Sequence, residues 1–155
     1  MLNGMVKNKI TYKIIADIPD ETILEELTLL YTELFDDANI KFFKLRFQNK
    51  EDFITILAYF ENTLVGFKIG YRYNETTFCS WLGGVKSNFR NQGIANQILH
   101  LQEKKAKENN YSKLRTKSMN RFKAMLILNL KNGFDIVKVY TNDSNQTKIV
   151  FEKDI

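Results

Sequence analysis

The stretch WLGGVKSNFRNQGIANQIL, residues 81–99, decides how the chain is read. It leaves an apolar run through the pair Gly83–Gly84, crosses a polar, basic connection, and enters a helically periodic run behind Gly93. A glycine inside a strand weakens it and often marks a bulge or a place where something approaches the backbone closely. A helix with glycine in its first turn leaves amide N–H groups unpaired at its positive end, where an anion is stabilised. Arg90 adds a permanent cation nearby, and Gly93 and Ala95 carry no side chain that would hold a phosphate off those amides. Neither G-x-x-x-x-G-K-[ST] nor G-x-G-x-x-G occurs, so neither of those nucleotide fingerprints is supported. What remains is R-x-x-G-x-A directly after a strand that ends in Val85.

Working outward, Ile94, Ala95, Ile98, Leu99, Leu101, Gln102 and Ala106 fit a helix that stops near Asn109–Asn110. Before the quoted stretch, FITILAYF (53–60), LVGFKIGYRY (64–73) and TTFCSWLGGV (76–85) are three β-rich runs joined by short polar turns, an antiparallel meander. The opening KITYKIIA reads as a further strand, with Tyr12 and Ile14 alternating against Thr11 and Lys13. Pro19 and Asp20 start a helix over 20–35, whose apolar stripe is Ile23, Leu24, Leu27, Leu30, Tyr31 and Leu34. KFFKLRF is expected as a short second helix. KLRTKS is extended, Arg121 to Lys131 helical with Asn132–Gly133 as its left-handed stop, and FDIVKVY and TKIVFEK are the last strands.

The chain has 155 residues, enough for one core, and the expectation is a single domain over 1–155. With 44% hydrophobic and 26% charged residues it has the composition of an ordinary folded protein. One cysteine, Cys79, excludes an internal disulfide framework, and one histidine, His100, leaves too few soft ligands for a zinc or iron–sulfur site, so no metal is expected. The opening MLNGMVKNKITYK has no apolar core of a leader, and no run approaches the ~18 apolar residues of a membrane span. A cytoplasmic location away from membranes follows. The net charge of +5 favours an anionic partner. Its basic residues are dispersed, Lys104, Lys105 and Lys107 being interrupted by Glu103 and Glu108, so nucleic acid is not the expected partner.

The run V-x-x-x-x-R-x-x-G-I-A, Val85 to Ala95, resembles the signature of the GNAT superfamily of N-acetyltransferases. The element order over 10–151, the N-G-F turn at Asn132–Phe134 and the T-L-V-G-F stretch at Thr63–Phe67 are similar as well. The resemblance implies an α/β (α+β) fold: a mixed, mostly antiparallel sheet of six to seven strands, flanked by helices, with a splayed central strand pair. It implies that Arg90, Asn91, Gln92, Gly93, Ile94 and Ala95 hold the pyrophosphate of acetyl-CoA. Its pantetheine arm would lie along Gly83, Gly84 and Val85, where the glycines clear room. A neutral amine would attack the thioester directly, with a backbone N–H near Val85 stabilising the oxyanion.

Two departures from the family pattern concern the late helix. Asn129 stands where many relatives carry a tyrosine as general acid, and it is expected to contact the thioester without supplying a proton. Phe122 stands where relatives tend to have an asparagine, and Asn120 is the nearest candidate for that cofactor contact. Glu75 is the nearest carboxylate to the strand that holds a general base in some relatives, and Asp36 and Asp37 could hold an acceptor's ammonium group. Cys79 reads as a small hydrophobe and His100 as exposed, while Trp81, Phe78, Phe42 and Phe43 read as core or acceptor-pocket aromatics. The acceptor amine, small molecule or peptide, is left open, as is the oligomeric state, a homodimer included. The alternative function is an acetyl-CoA-binding module with little catalysis.

Overall fold

The structure is a computed structural model that describes residues 9–155, so the leader reading of residues 1–8 lies outside it. β1 (Ile10–Ala16) is followed by α1 (Glu21–Leu34) and α2 (Ile40–Asn49), then β2 (Ile54–Phe60), β3 (Thr63–Arg72) and β4 (Thr77–Val85). After a one-turn 3-10 segment come α3 (Ile94–Glu108), β5 (Lys113–Met119), α4 (Lys123–Lys131), β6 (Asp135–Thr141) and β7 (Thr147–Asp154). The seven strands form one sheet in the order β1–β2–β3–β4–β5–β7–β6. Every pair is antiparallel except β4–β5, which the helical crossover α3 makes parallel.

Local chemistry explains the helix ends. Asp20 caps α1 by accepting the Ile23 N–H at 2.9 Å, and Asn39 caps α2 by accepting the Phe42 N–H at 3.0 Å. Gly133 ends the α4 turn at φ 84°, a left-handed conformation that glycine adopts without a Cβ penalty. The expected start of α4 at Arg121 is corrected to Lys123. Phe122 closes a turn instead, its N–H donating to the Met119 carbonyl at 3.0 Å.

Helices cover both faces of the sheet. Ile23, Leu27 and Leu30 of α1 with Phe43 and Phe47 of α2 pack on Leu57, Phe67, Ile69 and Tyr71. Ile94, Ile98, Leu99 and Ala106 of α3 pack on the other face, against Ile54, Ile56, Phe78, Val85 and Phe151. Double coverage is why β2 and β3 are buried on both faces along most of their length. On the edge strand β1 the expected alternation fails at Ile14, which is 42% exposed, since only Ile10 and Tyr12 of its face meet the core. No helix among the described residues is long and apolar enough to cross a membrane.

Two irregularities shape the middle of the sheet. Between β3 and β4 the register jumps from Ile69↔Leu82 to Gly70↔Ser80, so Trp81 is an extra residue that bulges β4. Between β4 and β5 the ladder has only four pairs, from Thr77↔Lys113 to Ser80↔Thr116, after which the strands part. At the last pair the Thr116 hydroxyl donates to the Ser80 carbonyl at 2.8 Å. Gly70 sits at the bulge, where a Cβ would overlap the Phe78 ring and lie 2.7 Å from the Cys79 carbonyl oxygen. Backbone cannot yield as a flexible side chain can, so Gly70→Ala should cost about 2 kcal/mol. Urea unfolding is expected to show a lower midpoint at unchanged slope.

Candidate functional site

The divergence of β4 from β5 opens a cleft of about 590 Å³, bounded by the end of α1, the Gly83–Val85 segment, the loop into α3 and the start of α4. From Trp81 to Val85 the β5-facing edge of β4 has no strand partner. The loop turns through two left-handed residues, Asn91 (φ 61°) and Gly93 (φ 81°), a kind of backbone that gathers N–H groups into a concavity. Gly93 stands just before α3 as its cap residue, one place earlier than the expected first-turn position, and no side chain caps that helix end. A Cβ on Gly93 would meet nothing within 4 Å, so the loop faces open space there.

The role given to the paired glycines is corrected. A Cβ on Gly83 would lie 2.8 Å from the Phe67 carbonyl oxygen and one on Gly84 2.8 Å from Leu34 Cδ1. The room they leave is filled by the protein itself, letting β3 and α1 pack close to β4. Gly93 is the glycine whose missing side chain leaves free volume.

Gly83, Gly84, Val85, Arg90, Asn91, Gly93, Ile94 and Ala95 all border the cleft, whereas Gln92, Asn120 and Asn129 do not. Arg90 does more than add charge, since its Nε donates to the Val85 carbonyl at 3.0 Å and ties the loop back to the strand. Asn129 is 1% exposed with both side-chain polar atoms lacking partners. Asp37, a possible ammonium holder, is engaged by the protein's own Arg121 at 2.7 Å. Glu75 is exposed in the turn at the opposite end of β4 from the cleft. Phe43 and Phe78 are core, Phe42 is half exposed, and Trp81 stacks on Phe43 at 5.7 Å between ring centres. Cys79 is half-buried, and burial pushes its thiol pKa up, which suits a small hydrophobe better than a nucleophile.

Sequence reasoning missed Lys68. It lies on β3 opposite Gly83, is 7% exposed, and borders the cleft. Burial lowers its pKa from 10.5 to about 8, and no carboxylate opposes that effect. The available signal was a single lysine inside LVGFKIGY, a run too apolar for a solvated strand face. With Arg90, Arg121 and Lys123 it makes four cationic side chains around the cleft, and no Asp or Glu borders it.

A buried, unpaired ammonium leaves a pH signature. Below about pH 8 Lys68 is charged in the folded and unfolded chain alike, and the folded state bears the whole desolvation cost. Between about 8 and 10.5 the unfolded chain alone holds the proton, so stability rises with pH, and above that range the cost is gone. At ~1.4 kcal/mol per pKa unit, Lys68→Met should stabilise the protein by about 3 kcal/mol at pH 7. Urea unfolding at several pH values should show that gain shrinking above pH 8.

Comparison with known proteins gives this geometry a context. No curated protein matches the sequence. Among solved structures, a GNAT family acetyltransferase from Elizabethkingia anophelis with acetyl-CoA bound superposes with a TM-score of 0.73 at 22% identity, over 96% of this chain and 100% of that one. The ribosomal-protein-S18-alanine N-acetyltransferase of Escherichia coli gives 0.76 at 14%, over 94% of each chain. An IAA acetyltransferase from Bacillus cereus gives 0.73 at 19%, over 94% of this chain and 100% of that one. At these identities the likeness is one of fold. The acetyltransferase (GNAT) family itself matches residues 20–126, from the cap of α1 through the whole cleft-forming segment into α4, and the chain belongs to that family.

Proposed function

We propose that this chain transfers an acetyl group from acetyl-CoA to the primary amine of an acceptor, by direct attack of the neutral amine on the thioester. The observation that carries the reading is the cleft, in which a bare strand edge, an uncapped helix start and four cations, of which only Arg121 is paired with a carboxylate, converge. Such a place suits a long ligand with phosphates at one end and an amide-bearing arm at the other. The amides from Asn91 to Ala95 take the pyrophosphate, Arg90 and Lys123 add positive charge, and the arm runs along Gly83–Val85 toward the ladder break. A backbone N–H near Val85 is aimed at the oxyanion; removal of one such donor typically costs about 3 to 4 kcal/mol of barrier. The acceptor is a small molecule or a peptide, and residues 9–155 act as one domain. A cytoplasmic site of action belongs to this reading, since the single cysteine calls for no oxidising compartment.

One observation favours a second reading, a module that binds acetyl-CoA with little turnover. Asn129, at the position of the family's tyrosine, is buried away from the cleft and offers no proton. Incubation of the protein and acetyl-CoA with a panel of amines and peptides, read by the mass gained on acetylation, separates the two. Turnover of any member supports the transferase. Coenzyme binding without turnover across the panel supports the module.

Acetyl-CoA at ~100 times its dissociation constant is expected to add about 2.7 kcal/mol of stability, a melting shift of several degrees at this chain length, with ATP or NAD giving far less. Ala95→Glu should abolish that shift while leaving the unliganded melting temperature nearly unchanged. A carboxylate is well tolerated in the first turn of a helix, but it opposes a bound pyrophosphate in bulk and in charge. Normal binding by this variant would move the phosphate site elsewhere.

A further inference from the structure

A second, smaller cavity of about 110 Å³ lies where β4 and β5 part, bordered by Ser80, Thr116 and Lys117 among others. It shares five bordering residues with the large cleft, namely Phe35, Lys68, Gly83, Phe122 and Met125. Lys68 is the one ionisable group among them. Two polar side chains at the small cavity stand out. Ser80 Oγ has no hydrogen-bond partner, and Lys68 has no carboxylate acting on it. A lysine in this wall costs stability and forms no ion pair, the profile of a group kept for chemistry. Its stem lies against Gly83, the strand segment along which the coenzyme arm runs in the function proposed above.

We propose that Lys68 donates the proton taken up by the coenzyme A sulfur as the thioester opens. The inference rests on the acetyl-CoA reading and supplies what Asn129 cannot. The lone pair of the acceptor nitrogen forms the C–N bond, and the C–S bond breaks with its electron pair on sulfur. The Lys68 ammonium passes a proton to that sulfur. The proton shed by the attacking nitrogen goes to solvent, and the neutral Lys68 amine recovers one from solvent, so acetyl-CoA and amine become amide and free thiol.

The two partners are matched in acidity. Lys68 is held near 8 by burial, and a thiol of the cysteine type has a reference value of ~8.5, so the transfer is close to level and both forms are accessible at working pH. The groups around Lys68 are consistent with a donor. Cys79 on β4 raises its pKa, Lys117 of β5 borders the small cavity, Arg90, Arg121 and Lys123 border the large one, and neither cavity is bordered by a carboxylate. As a base, Lys68 would have to take a proton from an amine of ordinary pKa ~10, about two units uphill.

Coenzyme A itself is the probe, because its thiol can be titrated in the complex by thiolate absorbance without knowledge of the acceptor. The thiol of bound CoA is expected up to about one pKa unit below that of free CoA in the wild type and in Lys68→Arg, which keeps the positive charge, a shift small enough to leave the transfer from Lys68 close to level. In Lys68→Met it should return to the free value or above while CoA still binds. With any acceptor found, Lys68→Met should lower kcat by about a hundredfold or more, with KM for acetyl-CoA changed only a few-fold, and remove a decline in rate above pH 8. Direct nitrogen NMR of Lys68 in the wild-type complex gives a check independent of variants, its ammonium persisting to higher pH when CoA is bound. Identical thiol titrations in the wild type and Lys68→Met, or a rate that rises through pH 8 by way of Lys68, would overturn the donor role with the coenzyme site intact. A wild-type protein that fails to bind CoA would overturn the acetyl-CoA reading and this inference with it.

Discussion

The parting of β4 from β5 is the constraint on which the rest of the molecule turns. Backbone N–H and C=O groups must find partners, and a strand that leaves its neighbour mid-sheet exposes a row of them in the interior of the fold. The chain reaches this state by identifiable means. Trp81 bulges β4, Gly70 lets the Phe78 ring seat against β3, and the Thr116 hydroxyl takes the Ser80 carbonyl where the ladder ends. In the proposed function the exposed edge beyond takes a ligand in place of a strand.

Charge around the opening is predominantly positive, and magnitudes separate the contributors. The Arg121–Asp37 pair at the cleft mouth is about half exposed on both sides and belongs to a class of pairs worth about 0 to 1 kcal/mol, so its value is to hold the ends of α1 and α4 near one another. Arg90 is used partly for structure, through its hydrogen bond to the Val85 carbonyl. Lys68 is different in kind. Burial lowers its pKa to about 8 with no paired acid to offset the effect, and in the proposed function the group stands beside the coenzyme arm.

Much of this was legible beforehand because the periodicities are clean. α1, α3 and the three-stranded meander follow from spacings of 3.6 and 2 bounded by Asp20, Asn109 and short polar turns, and Gly93 announced the loop because it opens a helically periodic run without a side chain. What stayed hidden depended on contacts between distant segments. Gly83 and Gly84 look like ligand clearance until Phe67 and Leu34 are seen against them, and Asp37 looks available until Arg121, 84 residues later, is found on it. Lys68 could not be weighed from its own strand, since its burial and its contact with Gly83 on the neighbouring β4 appear only in the folded chain. Asn129 shows the converse limit: a family position can be found by counting along the helix, while the direction of its side chain cannot.

The four-pair ladder also makes this sheet two sheets in mechanical terms. β1 to β4 and the trio β5, β7, β6 are each sewn by long antiparallel ladders, and Thr77–Ser80 against Lys113–Thr116 is the single backbone seam between them. Native-state opening follows the weakest seam, so the two halves are natural units of local unfolding and their boundary runs through the cleft. A ligand lying along β4 therefore acts as a missing stretch of stitching. Occupancy would be felt in the slow exchange of backbone amides on both halves, well beyond the atoms it touches.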